Sequence, residues 1–239
     1  MFTILVTAAT AGELSRMIRE TGAYGIAAKG VPEVYEWRTF RNRVIVAVTG
    51  MGKVNAALSS AALICALSPD LIINTGCAGA YGDSGLAVGD IALASSEIYG
   101  DEGLWTASGW HPLDRIGIPL AEVRGNRYFN EIPLSMPVAE KAHRFAEGRG
   151  IILHKGKFVT VSTCSGTSVR GAELSRRFGA ICENMEGAAV AHAALRFGLD
   201  CMEIRGISNM VEDRDLSRWD LAGAVDNVQR FIMPFVESL

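Results

Sequence analysis

Four short segments carry residue types that chemistry on a polar small molecule would use. Each falls where a strand is expected to end, which is where open α/β sheets hold their ligands. The first is Glu13, just past an apolar opening run, in Ala8-Ala-Thr-Ala-Gly-Glu13. The second, Asn74-Thr-Gly-Cys-Ala-Gly79, is built from small residues that let a ligand approach the backbone closely. The third is Asn184-Met185-Glu186-Gly187, ahead of an Ala-rich stretch, and the fourth is Gly206-Ile-Ser208-Asn209. A carboxylate can take a proton from water or, being acceptor-only, hold two hydroxyls at once. Each feature alone has a plainer reading. Glu13 suits the first turn of a helix, Glu186 a helix start, Asn209 an ordinary turn, and the glycines a tight turn.

Other chemistries fail on spacing. Gly50-Met-Gly-Lys53 lacks the Ser/Thr after the lysine, and Ala47 stands where a phosphate loop needs its first glycine. Gly76, Gly79 and Gly82 are not a GxGxxG, and they follow the third expected strand, whereas a dinucleotide fingerprint follows the first. No GxSxG occurs, and no His/Asp pairing suggests an acyl-transfer triad. Cys65, Cys77, Cys164, Cys182 and Cys201 are odd in number and widely separated. Neither they nor the four histidines have metal-ligand spacing. The expectation is no metal, no cofactor, and free thiols in a reducing cytoplasm.

The elements that must position these segments alternate as in α/β proteins. Strands are expected at Phe2–Thr7, Val44–Val48, Leu71–Thr75, near Ile91–Ala94, around Phe158–Ser162, at Ala180–Glu183 and at Cys201–Ile207. Helices are expected near Gly12–Glu20, Lys53–Leu67, Pro137–Arg149, Ser168–Phe178, Glu186–Phe197 and Ser217–Val236. Gly76–Gly85 reads as a loop, and residues 99–135 read as a long surface excursion of weak periodicity. With no linker, repeat or low-complexity tract, the 239 residues read as one domain, 1–239. A formal charge of −3 with scattered basic residues argues against nucleic acid. The apolar start lacks a basic n-region, so it reads as a strand and not a signal peptide. No apolar run reaches the ~20 residues of a membrane span.

Taken together, the segments are more specific. Thr49-Gly-Met-Gly-Lys53-Val-Asn-Ala-Ala57, Asn74–Gly79, Val88-Gly-Asp-Ile91, Asn184-Met-Glu186-Gly-Ala-Ala-Val-Ala-His192 and Arg205-Gly-Ile-Ser-Asn209 occur in this order. Over essentially the whole chain they resemble the nucleoside phosphorylase and nucleosidase superfamily. That resemblance implies a three-layer α/β/α fold around a twisted, mostly parallel but mixed sheet. It also implies a homo-oligomer, and a purine nucleoside as the small-molecule partner. Glu13 then falls where nucleosidases hold the carboxylate that activates water. Glu186 falls where ribose hydroxyls are bound, with Met185 against the sugar. Ala78 and Gly79 match the loop beside sugar and base, and Thr163 and Cys164 lie in the segment that holds the purine.

Departures from the wider pattern narrow the expectation. Phosphorylases of the hexameric type carry arginines where this chain has Asn74-Thr75 and Glu13. A carboxylate there repels phosphate and suits water. The adenine-directed methylthioadenosine and S-adenosylhomocysteine nucleosidases carry Asp at Asn209 and Phe at Cys164. An amide NH₂ donates to O6 and N7 of a 6-oxopurine. These departures, with Tyr99-Gly-Asp-Glu-Gly103 and the Asn-Met-Glu-Gly form of the ribose motif, resemble the futalosine hydrolases. The resemblance implies release of hypoxanthine from futalosine, a step in menaquinone formation. The adenine-thioether nucleosidases are the alternative, and a purine nucleoside phosphorylase comes third. For futalosine's carboxylated 5′ arm, the excursion offers Trp105, Trp110 and Arg115, Arg124 or Arg127, unless those tryptophans serve packing or a partner contact.

Overall fold

The computed structural model describes residues 1–239. The first unit runs β1 (Phe2–Ala8), a 3-10 turn (Ala11–Leu14), α1 (Ser15–Glu20), β2 (Tyr24–Gly25), β3 (Val34–Arg38) and β4 (Asn42–Val48). Next come α2 (Lys53–Leu67), β5 (Leu71–Ala80) and β6 (Ile91–Tyr99). The excursion holds two small hairpins, β7 (Leu104–Thr106) with β8 (Gly109–His111) and β9 (Ala121–Val123) with β10 (Asn126–Tyr128). It ends in β11 (Glu131–Pro133), which joins the main sheet at β6. The remainder is α3 (Met136–Glu147), β12 (Leu153–Thr160), α4 (Ser168–Phe178), β13 (Ala180–Asn184), α5 (Gly187–Phe197), β14 (Asp200–Met210) and α6 (Leu221–Ser238).

Ten strands form one mixed sheet with helices on both faces. β1 lies parallel between β4 and β5, and β14 runs parallel to β5 and antiparallel to β6. Because β6 also pairs β12, β12 pairs β13, and β13 meets the end of β5, these five strands close on themselves. Alternation along the strands assigns the two cores. Leu5, Ile45 and Ile72 face α2 and α5, whereas Ile4, Val6, Val44 and Ile73 face α1, α3 and α6.

The structure differs from the sequence expectation at three places that matter. Gly76–Ala80 is not a loop. β5 continues through it, because β14 pairs with it as far as Met210↔Ala80, with one register shift at Ser208. For the same reason Ser208 and Asn209 lie inside β14 and not after it. The pair β2–β3, which extends the sheet beyond β4, had no expected counterpart.

Candidate active site

Glu13 is placed by local chemistry. Thr10 caps the 3-10 turn, and Glu13 Oε2 accepts from both the Thr10 backbone N–H and its hydroxyl, each at 2.9 Å, in a capping box. The capping role and the site position therefore coincide. Its other oxygen, Oε1, accepts from the Cys77 N–H at 3.0 Å. Close approach demands a glycine next door. A β-carbon on Gly76, at φ +138°, would stand 2.5 Å from Glu13 Oε1 and 2.8 Å from Arg205 Nη1.

Glu186 is the residue before α5, and its Oε1 accepts from the Gly52 N–H at 2.9 Å, so the Gly50–Gly52 turn fixes it. Its Oε2 lies 3.5 Å from Arg205 Nη1. Arg205 is almost fully buried at 1% exposure, so its charge must be matched by neighbours. The guanidinium donates through Nε to Glu203 at 2.8 Å and through Nη1 to the Cys77 carbonyl at 3.3 Å. Its Nη2 donates to Asn184 Oδ1 at 3.4 Å. Below this arginine, Glu97 accepts from the Asn184 amide at 2.6 Å and the Thr160 hydroxyl at 2.7 Å. Burial and the adjacent Glu203 carboxylate push Glu97 well above the usual carboxylate range. Burial thereby favours the protonated form of Glu97, hydrogen-bonded toward Glu203.

A cavity of about 650 Å³ opens over these groups. Glu13, Ala78, Gly79, Cys164, Met185, Glu186 and Asn209 all line it. Thr163 does not; it is exposed and stands outside the lining, because the segment after β12 turns only Cys164 and Ser165 inward. Cys164 and Met185 touch through their sulfurs at 3.2 Å. The Asn209 amide has one N–H committed to the Met210 carbonyl at 3.1 Å, while Oδ1 accepts from the Ser208 hydroxyl at 2.8 Å. That leaves its second N–H free for a ligand.

The excursion does not furnish the far end of this cavity. Trp105 is 73% exposed, and Trp110 packs edge-on against Phe178 beneath the Arg177 guanidinium. Neither lines the cavity, and nor do Arg115, Arg124 and Arg127. That end is walled instead by Trp219, Leu221 and Val225 around α6, with Arg214 resting 4.9 Å over the Trp219 ring. Arg16, also at the rim, is committed to Asp226 and Glu20.

Arg205, Cys77, Ser208 and Glu183 also belong to this constellation, and the sequence reading did not single them out. A signal existed for Arg205. Met202-Glu-Ile-Arg-Gly-Ile207 is an apolar strand carrying opposite charges two residues apart, hence on one face. A buried charge there must be paired.

Residues 3–237 match the family model described as Phosphorylase superfamily. The chain belongs to that superfamily. It is 34% identical to the futalosine hydrolase of Thermus thermophilus over 197 residues, 82% of this chain and 83% of that one. It is 29% identical to the 5′-methylthioadenosine/S-adenosylhomocysteine nucleosidase of Staphylococcus aureus over 168 residues, 70% of this chain and 68% of that one. The solved futalosine hydrolase mutant of Helicobacter pylori superposes with a TM-score of 0.85 at 22% identity, covering all of both chains. The mixed sheet wrapped by helices is therefore the superfamily's fold. No helix is long and apolar enough to cross a membrane.

Proposed function

We propose that this protein hydrolyses the N-glycosidic bond of a 6-oxopurine nucleoside, with futalosine as its substrate. The products are hypoxanthine and dehypoxanthinyl futalosine, in the service of menaquinone formation. One observation carries the reading: two carboxylates, Glu13 and Glu186, face one cavity whose base end offers an amide, Asn209. Glycosidic cleavage passes through an oxocarbenium-like ribosyl cation, which nearby anions stabilise. Glu186 accepts from the ribose hydroxyls, with Met185 beside the sugar. Glu13 takes a proton from water as its oxygen bonds to the anomeric carbon. The C–N bond breaks, and the departing purine's negative charge is met by the Asn209 N–H.

Water is favoured over phosphate by the charges of the site. Arg205 is spent on Glu203 and Glu186 and offers no free guanidinium to a dianion. The likeness to futalosine hydrolases from Thermus thermophilus and Streptomyces coelicolor, the latter at 32% identity, supports the substrate. The likeness to adenine-thioether nucleosidases favours the alternative, against which Asn209 and Cys164 speak. The apolar residues Met51, just before α2, and Val54 and Leu58 in its first turns, each more than 60% exposed, suit contact with a second copy. Five free cysteines suit a reducing cytoplasm.

The deciding experiment offers purified protein futalosine, inosine and methylthioadenosine, with and without phosphate, and follows the free base. Hypoxanthine from futalosine without phosphate is expected. Adenine from methylthioadenosine at comparable efficiency would overturn the substrate, and dependence on phosphate would overturn hydrolysis.

A further inference from the structure

The far end of the cavity holds a cation that the rest of the chain leaves without a partner. Three arginines line the cavity: Arg16, Arg19 and Arg214. Arg16 is tied to Asp226 and Glu20, and Arg19 lies 3.7 Å from Glu20. Arg214 stands among acids, in Glu212-Asp-Arg214-Asp215, yet each of them is engaged elsewhere. Glu212 pairs with Arg218 at 2.7 Å, and Asp213 accepts from the Ser168 N–H at 3.4 Å. Asp215 accepts from the Ser217 N–H at 3.0 Å and from its hydroxyl at 2.7 Å. The Arg214 guanidinium itself makes no ion pair and no hydrogen bond.

The loop that carries Arg214 is pinned at both ends. The Val211 N–H donates to the Ala80 carbonyl at 2.7 Å, and the Asp220 N–H donates to the Ser208 carbonyl at 2.8 Å. The first bond holds the loop to the end of β5, and the second holds it to β14 next to Asn209. Between these anchors the guanidinium lies 4.9 Å over the Trp219 ring. Stacking takes up one face of the group and leaves its in-plane N–H donors available. Its charge is felt inside the cavity. Burial and Glu183 raise the Cys164 thiol, and Arg214 draws it back. Leu221, Ala222 and Val225 add an apolar wall from the start of α6.

We propose that Arg214 and Trp219 form a subsite for an aryl carboxylate carried on the 5′ side of the nucleoside. The guanidinium takes the carboxylate, and the indole with its apolar neighbours takes the ring. The proposal rests on the nucleosidase reading above and names the group that separates futalosine from a plain nucleoside. An unpaired guanidinium at a substrate cavity suits an anion, and its planar fork matches a carboxylate through two parallel hydrogen bonds. The site also needs such a cation. Glu13, Glu183 and Glu186 line the same cavity, so an anionic arm without a counter-charge would be repelled from it. The surrounding surface selects the kind of anion. A bare phosphate would leave Trp219, Leu221 and Val225 uncovered, whereas an aryl acid buries its ring against them.

The test measures kcat/KM for futalosine and for its carboxamide, which has nearly the same shape and no charge, in the wild-type chain and in Arg214→Met. The wild-type chain is expected to prefer the carboxylate by about tenfold or more. Arg214→Met keeps an unbranched stem beside Trp219 and removes the charge. In that variant the preference is expected to disappear, chiefly through a raised KM for futalosine. A wild-type chain that hydrolyses both compounds equally overturns the proposal, and this arm needs no substitution. A variant that keeps the preference overturns it too. So does an equal loss on both compounds, which is what a purely structural stack would give. Failure of the underlying reading looks different. The wild-type chain then releases no base from either compound, and the proposal falls with it.

Discussion

Glu13 Oε1 accepts a hydrogen bond from the Cys77 N–H at 3.0 Å, across 64 positions of sequence. That bond ties the turn after β1 to the middle of β5, two adjacent parallel strands. Together with the Thr10 capping box it uses three of the carboxylate's acceptor positions and leaves one for a water in the cavity. The proposed general base is thus held in place by two backbone N–H groups and the Thr10 hydroxyl before substrate arrives, and its orientation then costs little at the moment of reaction.

The first prediction follows from that arrangement. Glu13→Gln keeps the volume and part of the capping but cannot accept a proton. Base release should fall by about 10²- to 10⁴-fold, with substrate still bound in calorimetry. The lost match to Cys77 should lower stability by roughly 1 kcal/mol. Turnover close to wild type would show that another group activates the water.

Asn209 makes a second, substrate-dependent prediction. Asn209→Asp replaces a fixed donor with an acceptor facing O6 and N7. The 6-oxopurine substrates should lose about 1–3 kcal/mol of transition-state binding, read as kcat/KM, while 6-aminopurines lose less or gain. An equal loss on every purine rejects a role in reading the base.

Much of this site was visible in the sequence, and the part that was not has a physical reason. The helix Lys53–Leu67 was expected and is found with the same bounds, since Gly52 before it and Ser68-Pro69 after it are strong punctuation. Glu13, Glu186 and Asn209, which line one cavity, stood out as polar residues at the ends of apolar runs. Gly76–Ala80 misled, because glycine normally weakens a strand; here it admits Glu13 and Arg205 against the backbone, which is a tertiary cause. Arg205 and Glu183 were passed over because polar residues inside strands read as solvent-facing. Only the closure of β5, β6, β12, β13 and β14 on themselves reveals that those faces point inward. The tryptophans of the excursion attracted attention by type alone, whereas Trp219 lines the cavity.

The raised titration of Glu97 gives a third prediction. Glu97 titrates well above its ordinary value of 4.5, raised first by burial and then by Glu203. A raised acid binds its proton more tightly folded than unfolded. Its favourable contribution is therefore complete below about 4.5 and is lost as pH climbs toward the folded value. Glu97→Gln keeps a donor toward Glu203 without a titrating proton. Its melting temperature should gain on the wild type progressively as pH rises above 4.5, with kcat nearly unchanged. A constant difference across that range would mean that Glu97 holds no proton. Arg205→Met should behave oppositely, costing about 3–5 kcal/mol by leaving Glu203 and Glu186 unpaired.

The edge of the sheet supplies a control remote from the cavity. Glu36 on β3 is bound by Arg43 at 2.7 and 2.8 Å, by the Tyr24 hydroxyl at 2.9 Å and by Arg38 at 2.9 Å. The Arg43 guanidinium foremost, then Tyr24 and Arg38, hold its pKa down to about 2. A depressed acid contributes stability that is present above its unfolded value of 4.5 and is lost as pH falls toward 2. Arg38 is largely in solvent, so screening reduces the full linkage value, and Glu36→Gln should cost on the order of 1–2 kcal/mol near neutrality. Denaturant unfolding of both proteins should show that gap closing as pH drops through the window. The variant should retain normal base release at neutral pH, since no residue of this cluster reaches the cavity. A gap that stays constant with pH would mean that Glu36 acts through packing and not through its charge.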